Sequence, residues 1–192
     1  MIFNLMIAGV GGQGTVLASK LISAAALSKG FDVRTTETIG MAQRGGSVFG
    51  HVRIGENIFS PLIPFGKANS IIAFEPAEAV RQLPYLCKSG AVLTSSKAIV
   101  PAGAGNAGAN YQASAMIDYL GKNASRLIVL DGEKLTEKNA KTLNVSLLGA
   151  AAQCGLLPFG ADTLLNALAE VLPPKILTMN IEAYELGREL CN

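Results

Sequence analysis

The chain has 192 residues, 49% of them hydrophobic and 16% charged, with a net charge of +2, one histidine, three cysteines and no tryptophan. That length suffices for one domain spanning 1–192 whose core needs neither disulfides nor metals, and no run of eighteen uncharged apolar residues offers a membrane span. The small charge, without a basic run or interleaved aromatics, excludes a footprint for nucleic acid. Cys87, Cys154 and Cys191, odd in number and far apart, speak against a disulfide framework and against zinc or iron–sulfur ligation, and fit a reducing cytoplasm.

In chain order, Phe3–Ala8 is a short apolar run ending at Gly9. It has neither a basic n-region nor a small-residue cleavage site, so it reads as a buried strand and not as a signal peptide. Thr15–Lys29 carries Val16, Leu17, Leu21, Ile22, Ala25 and Leu27 at helical spacing, and Phe31–Thr36 alternates as a second strand. A helical crossover predicts that this strand lies parallel to the first, in a right-handed βαβ unit. Thr38–Ser47 holds three glycines without apolar periodicity. Ser47–Ile54 then alternates before Gly55-Glu56-Asn57 and Ile58-Phe59, which predicts a loop feeding an antiparallel hairpin. Such a hairpin elaborates the edge of the sheet or the site.

Ser70–Phe74 is a buried strand, Pro76–Leu83 a helix opening on proline, and Gly90–Thr94 a further strand. Pro101–Gly108, small and glycine-rich, reads as a mobile surface loop before the helix Ala113–Lys122 and the strand Leu127–Leu130. Asn144–Cys154 is apolar nearly all round and must be buried, in this chain's core or against another chain. Asp162 is placed to cap a helix over Thr163–Leu172, and Pro173-Pro174 separates it from Ile176–Leu190. The fold class is α/β, Rossmann-like: a mostly parallel open sheet with flanking helices and an inserted β-hairpin. So apolar a composition suits a chain that hides surface against a partner.

Gly9-Val10-Gly11-Gly12-Gln13-Gly14 has the G-x-G-x-x-G spacing directly after a strand and before a helix. Gly9 would permit the tight turn, Gly11 would let backbone approach a phosphate, and Gly14 would let the helix pack on the sheet. Free N–H groups and the helix dipole then favour an anion, with Gln13 and Thr15 adding side-chain donors. The alternative is a tight βα turn and nothing more. A dinucleotide site also asks for an acidic residue about 20 residues on, at the end of the second strand. Glu37 has that place, and reads equally as an exposed strand-end charge. Gln43-Arg44-Gly45-Gly46-Ser47 is a second glycine-flanked polar cluster, in which Arg44 could offer its planar fork to a carboxylate or phosphate, or simply be solvated at the hairpin's start. His51 lacks the nucleophile and orienting group of a triad, and Asp131-Gly132-Glu133 reads as a helix start before a metal site.

Ile7-Ala8-Gly9-Val10-Gly11-Gly12-Gln13-Gly14 and Glu37-Thr38-Ile39-Gly40-Met41-Ala42-Gln43-Arg44-Gly45-Gly46-Ser47-Val48 resemble the gamma-type subunits of 2-oxoacid:ferredoxin oxidoreductases. The second stretch looks in particular like the indolepyruvate oxidoreductase beta subunits, and the likeness runs from the first strand to the final helix. The resemblance implies a complex that oxidatively decarboxylates a 2-oxoacid, an arylpyruvate such as indolepyruvate, to an acyl-CoA and passes electrons to ferredoxin. It implies thiamine diphosphate and 4Fe–4S clusters on a large partner subunit, none on this chain, and no activity for this chain without that partner. Gly9, Gly11, Gly12, Gln13, Gly14, Thr15, Glu37 and Gln43–Ser47 would line a phosphate pocket open to CoA, with Arg44 the candidate for a supporting catalytic role. Neither a membrane nor nucleic acid is expected as partner, and a dimer stays open. In Pro101–Ala109 the chain shows no motif of that family. The other readings are a stand-alone NAD-dependent oxidoreductase using Gly9–Gly14 and Glu37, and a structural or nucleotide-sensing module.

Overall fold

The computed structural model describes residues 2–40, 45–100 and 111–191. Six strands form one sheet: β1 (Phe3–Val10), β2 (Asp32–Ile39), β3 (Ser47–Gly55), β4 (Ala68–Ala73), β5 (Leu86–Ser95) and β6 (Arg126–Leu130), in the order β2-β3-β1-β4-β5-β6. β1, β4, β5 and β6 are parallel neighbours, and β3 alone runs against them, paired with β1 on one side and β2 on the other. Among the described residues no helix is long and apolar enough to cross a membrane.

The inserted antiparallel element is present, but its pairing differs from the sequence reading. Ser47–Gly55 pairs backward with β2, from Asp32↔Gly55 to Ile39↔Val48, and Ile58-Phe59 forms no strand. β2 does run in the direction of β1, as a helical crossover requires, yet β3 lies between them. Side-chain chemistry explains the order. β3 buries Val48, Gly50, His51, Val52, Ile54 and Gly55, which suits a strand flanked on both sides. β2, Asp-Val-Arg-Thr-Thr-Glu-Thr-Ile, carries the charges and threonines that protect a sheet edge.

Strand alternation divides the core. Leu5, Ile7, Val52, Ile54, Ile72 and Leu93 face one layer, packed on α1 (Thr15–Ser28), α5 (Leu143–Gln153) and α6 (Ala161–Val171). Met6, Ala8, Ile71, Ala73 and Val92 face the other, covered by Ala79 of α2 (Pro76–Gln82), Leu120 of α3 (Ala113–Asn123) and Ile63. α5 is buried within this chain: ten of its eleven residues are inaccessible, and it packs under α7 (Pro174–Glu189). The two helices meet backbone to backbone, since a Cβ on Gly149 would collide with the Tyr184 carbonyl and one on Gly187 with that of Ser146.

Three further details depart from the sequence reading. α6 opens at Ala161 with Gly160 as its N-cap, so Asp162 sits in the first turn and caps nothing. Cys154 and Cys191 are joined as a disulfide, their Cα atoms 6.4 Å apart, which corrects the reading of the cysteines as unpaired; Cys87 is free. The 37 residues separating the pair along the chain conceal that the ends of α5 and α7 come together. Finally, the apolar excess is not all buried: Phe59, Leu62 and Phe65, on the segment joining β3 to β4, are 95%, 59% and 70% exposed. The proposed mobile loop at 101–108 lies outside the described residues.

Candidate functional site

Between Val10 and Thr15 the chain reverses at the carboxyl end of β1. Gly12 (φ 99°) and Gly14 (φ 79°) hold left-handed backbone that other residues reach at a cost of about 1–2 kcal/mol. Gly9 serves packing instead, since a Cβ there would stand 2.8 Å from Gln13 Oε1 and 3.1 Å from the Phe74 ring. Gln13 does not reach into the mouth as a donor for a ligand: its Oε1 accepts from the Val10 amide (2.8 Å) and its Nε2 donates to the Phe74 carbonyl (3.1 Å). The side chain instead stitches the turn to the end of β4. The Gly11 amide is likewise engaged, donating to the Gly46 carbonyl at 2.8 Å.

What remains open is the rest of the turn. Among the described residues the amides of Gly12 and Gly14 have no protein partner, and nothing lies within 4 Å of where a Gly12 Cβ would stand. α1 begins without an acidic residue in its first turn, and no side chain caps it. Unspent N–H groups therefore adjoin the positive end of a four-turn helix, an arrangement that favours an anion. Thr15, the first helical residue, is buried against this turn. Gly14 packs on α5 and not on the sheet: its carbonyl accepts from Asn144 Nδ2 (3.2 Å), and a Cβ would overlap that same nitrogen.

The second cluster approaches the first. Gly40 donates to the Ser47 carbonyl (2.9 Å), Gly46 meets Gly11, and the Ser47 hydroxyl donates to Glu78 Oε2 (2.5 Å). Gln43 and Arg44 lie outside the described residues; Gly40 and Gly45 bound them on either side. Glu37 is elsewhere. It pairs with Gly50 on β3, which in turn pairs with Ile7, so it stands two strand spacings, roughly 10 Å, from β1. The place beside the glycine turn, where a dinucleotide ribose would need a carboxylate, belongs to β3.

The sequence reading passed over Glu75 and Glu78, buried at the N-cap and in the first turn of α2, at the carboxyl end of β4. Glu75 caps that helix, its Oε2 accepting from the Glu78 amide (3.0 Å), while its Oε1 accepts from the Ile99 amide (3.4 Å) and the Tyr111 hydroxyl (2.9 Å). Burial raises the Glu75 carboxyl above its ordinary pKa, against the opposing pull of Tyr111 and the backbone amides. Burial and the neighbouring Glu75 also raise the Tyr111 phenol. Glu-Pro-x-Glu directly after a buried strand was a readable signal, with a cap, proline at the first helical position and an acid at the third. His51 is buried in the sheet, its Nδ1 accepting from the Ile63 amide (3.2 Å) and its ring against Tyr85 and Phe49. Asp131 accepts from the amides of Glu133 and Lys134 and caps α4 (Gly132–Thr136). Among the described residues no group of three or more His, Cys, Asp or Glu could hold a metal ion.

The model of the family described as pyruvate ferredoxin/flavodoxin oxidoreductase matches residues 4–190. The chain belongs to that family. Within the pyruvate ferredoxin/flavodoxin oxidoreductases it is 37% identical over 189 residues to indolepyruvate oxidoreductase subunit IorB of Pyrococcus horikoshii, covering 96% of this chain and 94% of the relative. The fold is that of the keto/oxoacid ferredoxin oxidoreductase gamma subunit from Geobacter sulfurreducens, with a TM-score of 0.70, 18% identity and 98% of each chain covered. It also matches part of a 2-oxoglutarate:ferredoxin oxidoreductase from Magnetococcus marinus at TM-score 0.75 and 19% identity, covering 99% of this chain and 31% of that one.

Proposed function

We propose that this subunit lends a phosphate-binding pocket, and no redox centre, to a complex that oxidatively decarboxylates indolepyruvate or a related arylpyruvate to its acyl-CoA and reduces ferredoxin. The observation that carries the reading is the Gly11–Gly46 hydrogen bond, which joins the glycine turn to the Arg44-bearing connection at the carboxyl ends of the strands. The open amides of Gly12 and Gly14 fit a phosphate such as that of CoA. Thiamine diphosphate, on the large subunit, supplies the stabilised carbanion of such a reaction. This chain's part is to bind and orient, and Arg44, adjoining Gly45-Gly46 in the sequence, is the candidate to meet the same anion. The solvent-facing Phe59, Leu62 and Phe65 support a chain that works within an assembly.

The test is co-expression with the large subunit and CoA-dependent reduction of an artificial acceptor with several 2-oxoacids, each subunit alone serving as control. Activity confined to the mixture, highest with indolepyruvate, is expected. Arg44→Ala lowers turnover of the assembled complex and leaves assembly intact; unchanged kinetics remove Arg44 from the site. A stand-alone NAD-dependent enzyme would instead bind NAD without the partner, and the position of Glu37 on β2, beyond β3, weighs against it.

A further inference from the structure

Glu75 is 0% and Glu78 1% exposed, and a carboxylate taken so far from water costs several kcal/mol unless hydrogen bonds compensate it. Two buried acids, one capping a helix of seven residues and one inside it, are more than a cap requires. Their partners show what each one holds. Glu78 divides its oxygens between the Arg81 guanidinium and the Ser47 hydroxyl, and Ser47 directly follows the Gly46 that closes on Gly11. Glu75 gathers Ile99 and Tyr111 onto one oxygen, and the carbonyl of the preceding Phe74 receives the Gln13 amide that braces the glycine turn. Ser47, Gln13 and Tyr111 come from three separate parts of the sequence, and each is fastened to the first turn of α2 or to the residue before it.

We propose that Glu75 and Glu78 are positioning residues for the phosphate pocket: Glu78 through the Ser47 hydroxyl, and Glu75, itself held by the Tyr111 hydroxyl, through the adjoining Phe74 carbonyl that receives Gln13. Ser47 then serves the pocket by holding the preceding Gly46 against Gly11 of the glycine turn. It does not do so by touching the ligand, because its hydroxyl proton is already given to Glu78. The inference rests on the reading of the turn as a CoA phosphate site.

The experiment uses the co-expressed complex and the KM for CoA. Ser47→Ala and Tyr111→Phe each delete one hydroxyl and little else, and a hydrogen bond of ordinary net worth corresponds to roughly a fivefold to tenfold change. A rise of that size in KM for CoA is expected in each, with kcat kept within about twofold. Ser47→Thr, which keeps the donor, returns KM to the wild-type value. Glu78→Ala added to Ser47→Ala raises KM no further, because the two share the bond toward the turn and the other Glu78 partner, Arg81, lies on α2 itself. Melting temperatures measured alongside separate this from a loss of fold, and if Ser47→Ala does not fold, Tyr111→Phe decides. KM at the wild-type value in both single variants overturns the proposal, as does a fall in kcat and complex yield at constant KM. A wild-type complex that turns over without CoA overturns the pocket reading first, and this inference with it.

Discussion

Replacing Gly14 with alanine tests whether α5 sets the geometry of the glycine turn. The new methyl meets two separate obstacles. The backbone at φ 79° is left-handed, costing about 1–2 kcal/mol for a residue with a Cβ. The Cβ also overlaps Asn144 Nδ2, and Asn144 is 2% exposed at the start of α5, with no room to retreat; overpacking of this kind costs roughly 1–3 kcal/mol. Together they amount to about 2–5 kcal/mol, which for a chain of this length lowers Tm by roughly 5–15 °C. The companion change, Asn144→Ala, removes one hydrogen bond to the Gly14 carbonyl but also a buried Oδ1 with no partner among the described residues, so it costs about 1 kcal/mol or less. In the Asn144→Ala background the collision is gone, and Gly14→Ala retains only its backbone cost. A double-mutant cycle by denaturant unfolding therefore yields a coupling of about 1–3 kcal/mol. Additivity within ~0.5 kcal/mol would mean that Asn144 does not constrain the turn, and the packing argument would fail.

Three more outcomes are expected. His51 is buried with Nδ1 accepting from Ile63, and burial lowers its pKa, so the unfolded chain takes up the proton first. Stability is unaffected above pH 6.5 and falls below it by at most about 1.4 kcal/mol per pH unit. His51→Phe flattens the Tm profile between pH 6.5 and 5, and equal slopes in variant and wild type would count against it. Glu75 has the opposite sign: its raised carboxyl contributes stability below its unfolded value near 4.5 that is lost as pH climbs through the folded value. Glu75→Gln thus gains on the wild type in thermal unfolding from pH 4 to pH 8, and a constant difference would refute the assignment. Gly187→Ala drives a methyl into the Ser146 carbonyl, and α5 and α7 can separate only as backbones; a loss of at least about 1–3 kcal/mol is expected in urea unfolding, and a neutral result would contradict the close crossing.

Much of this chain was legible before any coordinates. The strand–turn–helix at 3–28, the all-round apolar helix at 143–153 and the proline break before 174 follow from local periodicity and from the two residues with special backbones. The two glycine clusters could be read as one pocket because both lie in the same half of the chain. The open edge strand was also written in Asp32, Arg34 and Glu37, although their meaning becomes plain only beside the buried alternation of β3.

Pairing was decided by tertiary structure. Whether Ser47–Gly55 turns back onto β2 or forward onto Ile58-Phe59 depends on which side of β1 lacks a partner, and no local signal carries that. The same holds for Gln13, whose amide suits a ligand or a backbone carbonyl equally until Phe74 is brought beside it, and for Ser47, whose hydroxyl meets a buried glutamate 31 residues away. The sequence alone determined which segments become strands and helices and where the glycine turns fall, because those depend on near neighbours and periodic burial. Three-dimensional packing decided strand order, the burial of Glu75 and Glu78 beside the strand ends and the partners of Gln13 and Ser47, because each needs atoms distant in the chain to compete for the same place.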